Sequence, residues 1–193
     1  MNNYQFVFET EARTAIHRDG LEDLLNWLHT TDFFTAPAST QYHGAEECGL
    51  VKHSLAVYRK FWEIAPVYGF AKTDENLESA AIVCLFHDIC KADFYNVATK
   101  NVKDEETGKW YKAPYYRVDE KVKFGAHGAK SMYYVMHYMN LNIDEAMAIF
   151  HHMGAWDKSQ YSNPGTAYCS SILAWLLHVA DEADAYAGDD DDE

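Results

Sequence analysis

The stretch Ala80-Ala81-Ile82-Val83-Cys84-Leu85-Phe86-His87-Asp88 joins an uninterrupted apolar run to an imidazole and a carboxylate. Both of these groups bind divalent transition metals well. A carboxylate at the end of an apolar helix is costly to bury unless it is paired with a cation or binds a metal. We therefore predict a buried helix over about residues 75–90, with the His-Asp pair near its C-terminal end in a metal site.

Two more candidate ligands lie far from this pair in the sequence, and each lies in an apolar helical pattern. One helix is predicted over about 47–64, and His53 lies on it. Another is predicted over about 166–186, where Asp181 follows Leu176-Leu177-His178-Val179-Ala180. His53 taken alone also fits a histidine of the core or of a helix cap. A fold that brings both residues to the His-Asp pair would form a metal site, and we expect that fold.

Several of the ten histidines are further candidates for such a site. His127 precedes one predicted helix and His152 ends another, so both are candidate ligands for a second ion. Adjacent helical residues point about 100° apart, so we do not expect His151 and His152 both to face one ion, and the sequence leaves the choice open. His43 is a candidate substrate contact, although the sequence slightly favours a plain loop histidine. His178, three residues before the late aspartate, is a candidate hydrogen-bond partner for a ligand.

The rest of the chain is predicted to be mainly helical. Helices are expected over about 21–31, 128–140 and 143–153, where Asn142 or Asp144 could cap the last of them.

One segment interrupts the helical pattern. Aromatic-rich flanks around the polar turn Asp104-Glu105-Glu106-Thr107-Gly108 predict a β-hairpin over about 94–118. Pro114 confines its strand to an edge. The aromatic residues of the hairpin fit a lid or a surface that stacks on a base, and plain packing on an edge strand is the other interpretation; they are Trp110, Tyr111, Tyr115 and Tyr116.

Composition and charge limit the classes of protein that fit. The chain has 193 residues, of which 48% are hydrophobic, and this suits one well-buried domain over 1–188. The acidic residues 189–193 are expected to be a disordered tail. The formal charge is −14, from 16 basic and 30 acidic residues. Because binding to a long nucleic acid depends on basic residues that neutralise phosphates, this balance favours a small phosphorylated substrate, and a short oligonucleotide stays open.

The expected location of the protein is the cytoplasm. We find no uncharged apolar run of the length that crosses a membrane, and the first five residues lack the pattern of a signal peptide. The four cysteines show no CxxC spacing, and we expect buried reduced thiols rather than a zinc-thiolate site; they are Cys48, Cys84, Cys90 and Cys169.

Taken together, these motifs resemble the HD superfamily of metal-dependent phosphohydrolases over about residues 40–187. His87-Asp88-Ile89-Cys90-Lys91 is similar to the HDIGK motif, with Cys90 where glycine is usual. The other similar segments are Gly49-Leu50-Val51-Lys52-His53-Ser54-Leu55-Ala56-Val57, Gly125-Ala126-His127-Gly128-Ala129-Lys130-Ser131, His152-Met153-Gly154 and His178-Val179-Ala180-Asp181-Glu182-Ala183-Asp184.

The resemblance implies an all-α HD-domain bundle with the small hairpin inserted, and hydrolysis of a phosphoester or phosphoanhydride. It also implies one or two divalent transition metal ions, with Mn, Fe, Co, Ni and Zn not distinguished. The implied ligands of the first ion are His53, His87, Asp88 and Asp181. Asp88 would bridge to a second ion held by His127 and His152.

Catalytic and substrate-binding roles are hypotheses that build on this metal site. Asp88 or a nearby histidine would orient the attacking water. Lys91 would stabilise charge on the phosphoryl oxygens and contact substrate, although a lysine at a helix end is also common without such a role. His43 would contact the substrate, which is expected to be a nucleotide.

Three other functions stay open at this point. One is a phosphodiesterase for cyclic dinucleotides or short oligonucleotides. The second is an HD-fold oxygenase with a di-iron centre, since histidine-rich ligands also suit iron. The third is a nucleotide-binding regulatory module without catalysis. The sequence does not distinguish oligomeric states.

Overall fold

The fold is organised around one helix whose C-terminal half is buried on every side. The computed structural model describes residues 3–41, 43–119, 126–156 and 164–187. Helix α4 (Asp74–Phe86) begins at the N-cap Thr73, whose hydroxyl accepts a hydrogen bond from the amide of Asn76. All residues from 80 to 86 of this helix have no exposed surface. A helix that is apolar all round belongs in the interior of a bundle, and here it contacts four other helices.

The described residues form eight α-helices and a small sheet, as the sequence predicted. Around α4 lie α1 (Asn3–Ala15), α2 (Leu21–Leu28), α3 (Gly49–Ile64), α5 (His127–Tyr138), α6 (Ile143–His151), α7 (Pro164–Ser170) and α8 (Ile172–Ala187). Short 3₁₀ helices cover Ala65–Tyr68, Ile89–Lys91 and Gly154–Trp156. The predicted mainly helical fold with an inserted hairpin is confirmed.

Two predicted helix boundaries were wrong. The helix expected over about 75–90 ends at Phe86, because the ring of His87 hydrogen-bonds the carbonyl of Cys84 and the chain leaves the α conformation at Asp88 (φ −113°, ψ 15°). The helix expected over about 166–186 is two helices that meet at Ser171. There the Ser171 hydroxyl accepts a hydrogen bond from the amide of Ala174, as a serine at a helix N-cap does.

Helix α1 was not predicted from the sequence, yet it belongs to the core. Phe8 and Ala12 have no exposed surface, whereas Phe6 is 60% exposed. The apolar stripe of α1 is therefore narrow and is broken by an outward-facing phenylalanine, which hides its helical period. The edge-on contact of Phe8 with Phe86, at 5.7 Å between ring centres, ties α1 to α4.

The hairpin has the predicted position. Strands β1 (Tyr95–Lys103) and β2 (Trp110–Val118) pair antiparallel, with Thr99 opposite Pro114. Trp110 is 68% exposed. The role of the hairpin as a lid or stacking surface stays a prediction.

A partly buried charge network holds α6 against the connection between α1 and α2 and against α4. Glu145 closes a capping box with Asn142, the N-cap of α6. The same carboxylate accepts hydrogen bonds from Arg18, at 2.6 and 3.0 Å, and from the hydroxyl of Ser79 on α4. Arg18 also binds Glu78 at 2.9 Å. This network fixes the helix that carries His152 at its end.

The predicted disordered tail at 189–193 lies outside the described residues. Among the helices of the described ranges, none has the length and apolar character that a membrane crossing requires.

Candidate metal centre

Five candidate ligands converge in the interior from four helices. His53 lies on α3, His87 and Asp88 follow α4, His152 follows α6, and Asp181 lies on α8. All five side chains belong to buried residues, the most exposed being Asp181 at 8%. His53 and Asp181 are 128 positions apart in the sequence. They meet because α3, α4 and α8 pack on one another.

The donor atoms of this cluster are spaced as the ligands of one ion would be. His53 Nε2 lies 3.2 Å from His87 Nε2 and 3.1 Å from Asp181 Oδ1. Asp88 Oδ2 lies 3.6 Å from His87 Nε2 and 3.7 Å from His53 Nε2. Two such donors on one tetrahedral ion, at bond lengths of about 2.0–2.2 Å, stand about 3.3–3.6 Å apart. The spacing therefore suits a divalent metal.

Backbone carbonyl groups orient two of the imidazoles. His87 Nδ1 donates to the carbonyl of Cys84 at 2.9 Å, and His152 Nδ1 donates to the carbonyl of Ile149 at 2.7 Å. Each acceptor lies three residues earlier, in the last turn of the preceding helix. With Nδ1 protonated for this bond, the lone pair of Nε2 points into the cluster, which is the tautomer that a metal needs.

His53 is oriented by a carboxylate that was not among the predicted site residues. Its Nδ1 lies 2.7 Å from Asp184 Oδ2. Asp184 is three residues after Asp181 on α8, so both carboxylates lie on one side of that helix. This spacing of aspartates was the one sequence signal that pointed to Asp184. Burial lowers the pKa of His53, but hydrogen bonds to Asp181 and Asp184 outweigh burial and raise it to about 9.

Two buried polar atoms at the centre have no hydrogen-bond partner among the described residues. They are Asp88 Oδ1 and His152 Nε2, which face each other across 3.5 Å. Leaving such atoms unpaired is costly in a folded protein. A cation between or beside them would satisfy both, so the residues present fit a bound metal.

Lys91 is the positive charge nearest to Asp88. Its Nζ lies 2.6 Å from Asp88 Oδ2, one turn away along the chain. Burial raises the pKa of Asp88, but Lys91 and His87 outweigh burial and hold it well below the ordinary value. Burial likewise lowers the pKa of Lys91, and the charge of Asp88 raises it above its ordinary value. Both groups are therefore charged at neutral pH.

His127 lies in a second group of donors rather than in the central one. Its Nδ1 is 3.3 Å from Cys90 Sγ. The donor atoms of Asp88, Cys90 and His127 all lie within 4.8 Å of one another. Burial raises the pKa of the Cys90 thiol to about 12, and the charge of Asp88 adds to this. A donor of His152 lies within 4.8 Å of the donors of His87 and Asp181, and its sharing of a second ion with His127 stays a prediction.

The structure distinguishes the two adjacent histidines after α6. The ring of His152 enters the cluster, while His151 packs against Phe150 at 4.7 Å between ring centres, and its carbonyl accepts a hydrogen bond from Tyr168. His178 donates to the carbonyl of His152 at 2.7 Å. His178 therefore supports the backbone of a candidate ligand and not the side chain of Asp181.

A cavity of about 1080 Å³ opens beside His53 and Asp184. His43 lines it, with its ring centre 5.0 Å from that of His53. The Nε2 atom of His43 is buried and has no hydrogen-bond partner in the described part of the chain. Burial and the nearby positive charge of His53 and Lys91 lower the pKa of His43 to about 4. Its neutral ring can therefore donate or accept one hydrogen bond there. Other lining residues are Lys52, Tyr58, Arg59 and Trp62.

The family model described as HD domain matches residues 50–186. This range contains each of the five central candidate ligands and both members of the Cys90–His127 pair. No curated protein matches the chain, and no solved structure matches it.

Proposed function

This chain belongs to the HD domain family, and we propose that it is a metal-dependent phosphohydrolase that cleaves a phosphoester or phosphoanhydride bond of a small, nucleotide-like substrate. The observation that supports this most is the convergence of the Nε2 atoms of three histidines on the carboxylates of Asp88 and Asp181. We assign His53, His87, Asp88 and Asp181 as the ligands of the first divalent ion. His152 lies beside this ion site, with its Nε2 atom 3.5 Å from Asp88 Oδ1.

The charge balance of the centre also supports a bound cation. Asp88 and Asp181 are both buried, and hydrogen bonds and charge from the neighbouring histidines hold the pKa of Asp181 well below its ordinary value although burial raises it. Buried carboxylates need compensating positive charge. Lys91 pairs with Asp88 and His53 pairs with Asp181, and a divalent ion would take the place of the His53 proton in balancing the charge of Asp181.

In the reaction that we propose, the role of each residue follows from the atoms that it contacts. An ion bound here would supply a hydroxide at neutral pH, because a divalent metal lowers the pKa of its bound water from about 16 to about 7. His152 would orient the attacking water through its Nε2 atom, which has no hydrogen-bond partner among the described residues. The ammonium of Lys91, held beside Asp88, would stabilise negative charge that develops on the phosphoryl oxygens.

The cavity supports a small substrate with an organic part. It meets the proposed metal site at His53 and extends past the aromatic rings of Tyr58 and Trp62, with Lys52 and Arg59 on its wall. Its volume of about 1080 Å³ is just above the range typical of small-molecule sites, about 300–1,000 Å³. We propose that a nucleotide places its base among these rings and contacts His43 on the way to the metal.

The experiment is elemental analysis of the purified protein together with a phosphate-release screen over nucleotides and cyclic dinucleotides. Asp88→Asn is the test variant. Asp74→Asn is the matched control, because Asp74 lies exposed at the start of α4, the helix that Asp88 follows. We expect one or two transition metal ions per chain and metal-dependent phosphate release that Asp88→Asn abolishes and Asp74→Asn retains.

Three results would contradict the proposal. A folded Asp88→Asn variant that keeps its metal and its rate of phosphate release would contradict the metal-binding and catalytic roles assigned to Asp88. Bound iron with oxygen consumption and no phosphate release would favour the oxygenase. Tight nucleotide binding without turnover under every metal would favour a regulatory module.

A further inference from the structure

We propose that Cys90 is a thiolate ligand of a second divalent ion, which it shares with His127 and Asp88, and that this ion is zinc. The inference rests on the proposed function only in that Asp88 belongs to both ion sites. Cys90 occupies the position at which glycine is usual in the motif that this segment resembles, so the thiol is a feature of this chain.

The first argument is the distance between sulfur and nitrogen. Cys90 Sγ and His127 Nδ1 are 3.3 Å apart. Zinc binds sulfur at about 2.3 Å and imidazole nitrogen at about 2.0–2.1 Å, which separates the two donors by about 3.6 Å in a tetrahedral site. The observed distance thus lies about 0.3 Å from the expected one, so the pair can close on an ion with a small shift of either side chain.

The second argument is the position of a third donor. A carboxylate oxygen of Asp88, Cys90 Sγ and a ring nitrogen of His127 all lie within 4.8 Å of one another. Asp88 is 2% exposed, and its Oδ1 atom is buried without a hydrogen-bond partner in the described ranges. Lys91 binds the other oxygen. One carboxylate oxygen therefore remains available for an ion beside Cys90.

The backbone holds these groups together. Cys90 lies in the 3₁₀ helix Ile89–Lys91, directly after Asp88, and its amide donates to the hydroxyl of Ser131 at 3.2 Å. Ser131 is one helical turn after His127 on α5. The hydrogen bond to Ser131 thus holds the start of α5 against the 3₁₀ helix and keeps Cys90 and His127 close together.

The chemistry of the step is ligand binding with release of one proton. The S–H bond of Cys90 breaks, its proton passes to water, and the sulfur donates an electron pair to the ion. A metal deprotonates a thiol that coordinates it. One thiolate with imidazole and carboxylate suits zinc, whereas magnesium and manganese prefer oxygen donors. Cys90 therefore shifts the selectivity of this site toward zinc.

The test uses cobalt(II) as a spectroscopic substitute for zinc. Chelator-treated protein is titrated with Co²⁺, and the near-ultraviolet charge-transfer band of a sulfur–cobalt bond is recorded. We expect this band in the unmodified protein and in Cys169→Ser, which removes an exposed thiol. Cys90→Ser and Cys90→Gly should lose the band. They should also bind the second Zn²⁺ at least about 10-fold more weakly, since even loss of a residue that only supports a ligand costs 10–100-fold.

A measurement on the unmodified protein guards against variants that fail to fold. X-ray absorption at the zinc edge of protein loaded with two Zn²⁺ should show one sulfur at about 2.3 Å per two ions. Only nitrogen and oxygen neighbours, or a cobalt band that survives in folded Cys90→Ser, would overturn the assignment of Cys90. If phosphate release persists in either case, the proposed function stands without Cys90 as a metal ligand. Failure to bind any metal would overturn both.

Discussion

Asp184 on α8 holds His53 on α3 through a 2.7 Å hydrogen bond between Oδ2 and Nδ1, across 131 residues of sequence. The bond aims the opposite nitrogen of His53 at His87 and Asp181. A carboxylate in this position fixes the tautomer of a ligating imidazole and raises its basicity. Asp184 is therefore a positioning residue for the proposed first ion and has no direct contact with it.

Asp184→Asn should weaken binding of the first ion by about 10–100-fold, because the amide orients His53 without the charge that strengthens it as a ligand. Calorimetric titration with Zn²⁺ or Mn²⁺ would measure this. Glu63→Gln is a suitable control, since the Glu63 side chain is 62% exposed on the same helix as His53. Equal affinities in Asp184→Asn and the unmodified protein would contradict the role of Asp184.

The contrast between Asp184 and His87 shows how far the sequence could predict the site. His87 and Asp88 follow an apolar run, so their cost of burial was visible in the sequence itself. Asp184 has an ordinary amphipathic neighbourhood, and its partner His53 is defined only by the packing of α3 on α8. Likewise the choice of His152 over His151 depends on where α6 ends, which the capping of that helix and its packing determine together.

The fold was predictable where the hydrophobic period is strong and less so where it is weak. The hairpin at 95–118 and the helix at 49–64 lie within a few residues of their predicted bounds. Helix α1 escaped prediction because Phe6 points to solvent while Phe8 enters the core. The break at Ser171 was not predicted, because a serine cap inside an apolar stretch leaves the hydrophobic period almost unchanged.

His152→Asn should reduce metal affinity at least about 10-fold, whereas His151→Asn should leave metal content unchanged. The reason is the direction of the two rings: His152 Nε2 faces Asp88 at 3.5 Å, and His151 packs against Phe150. Metal content after dialysis against a weak chelator would measure the difference, with thermal melts to show that both variants fold. If His151→Asn lost metal and His152→Asn kept it, His151 would be the ligand.

Lys91→Gln should lower kcat by about 10²–10³-fold and leave metal content unchanged, because it removes a charge that acts on the phosphoryl group. Lys91→Arg should restore part of the rate, since it returns the positive charge. Phosphate release under saturating substrate is the measurement. Lys109→Gln is the control, because Lys109 is exposed in the turn between β1 and β2. An unchanged kcat in Lys91→Gln would leave Lys91 with only a structural pairing to Asp88.

Glu145→Ala should destabilise the protein by about 1–3 kcal/mol at pH 7, because it removes one of the two carboxylates that pair with Arg18 and opens the capping box of α6. Arg59→Ala, which breaks an exposed pair with Glu63, should cost less than about 1 kcal/mol. Urea unfolding would measure both.

The same interaction predicts a dependence on pH. Burial raises the pKa of Glu145, but hydrogen bonds from Arg18 and Ser79 outweigh burial and hold it below its ordinary value of 4.5. A lowered folded-state pKa contributes stability that is present above pH 4.5 and is lost as the pH falls through the folded value. The stability gap between unmodified protein and Glu145→Ala should therefore narrow below pH 4.5. A gap that stays constant to pH 3 would contradict the ionic role of Glu145.

Gly128→Ala should separate the two proposed ions. A Cβ atom at Gly128 would stand 2.1 Å from the carbonyl oxygen of Phe150, so α5 must move away from α6, at a cost of about 1–3 kcal/mol. Because His127 begins α5, that movement would withdraw it from Cys90 and weaken the second ion, while the first ion, held from α3, α4 and α8, would remain. Zinc stoichiometry and melting temperature would measure the two effects, with the exposed Met136→Ala on α5 as control. Loss of both ions in a protein that still folds would mean that α5 supports the whole centre, and that the two sites are not independent.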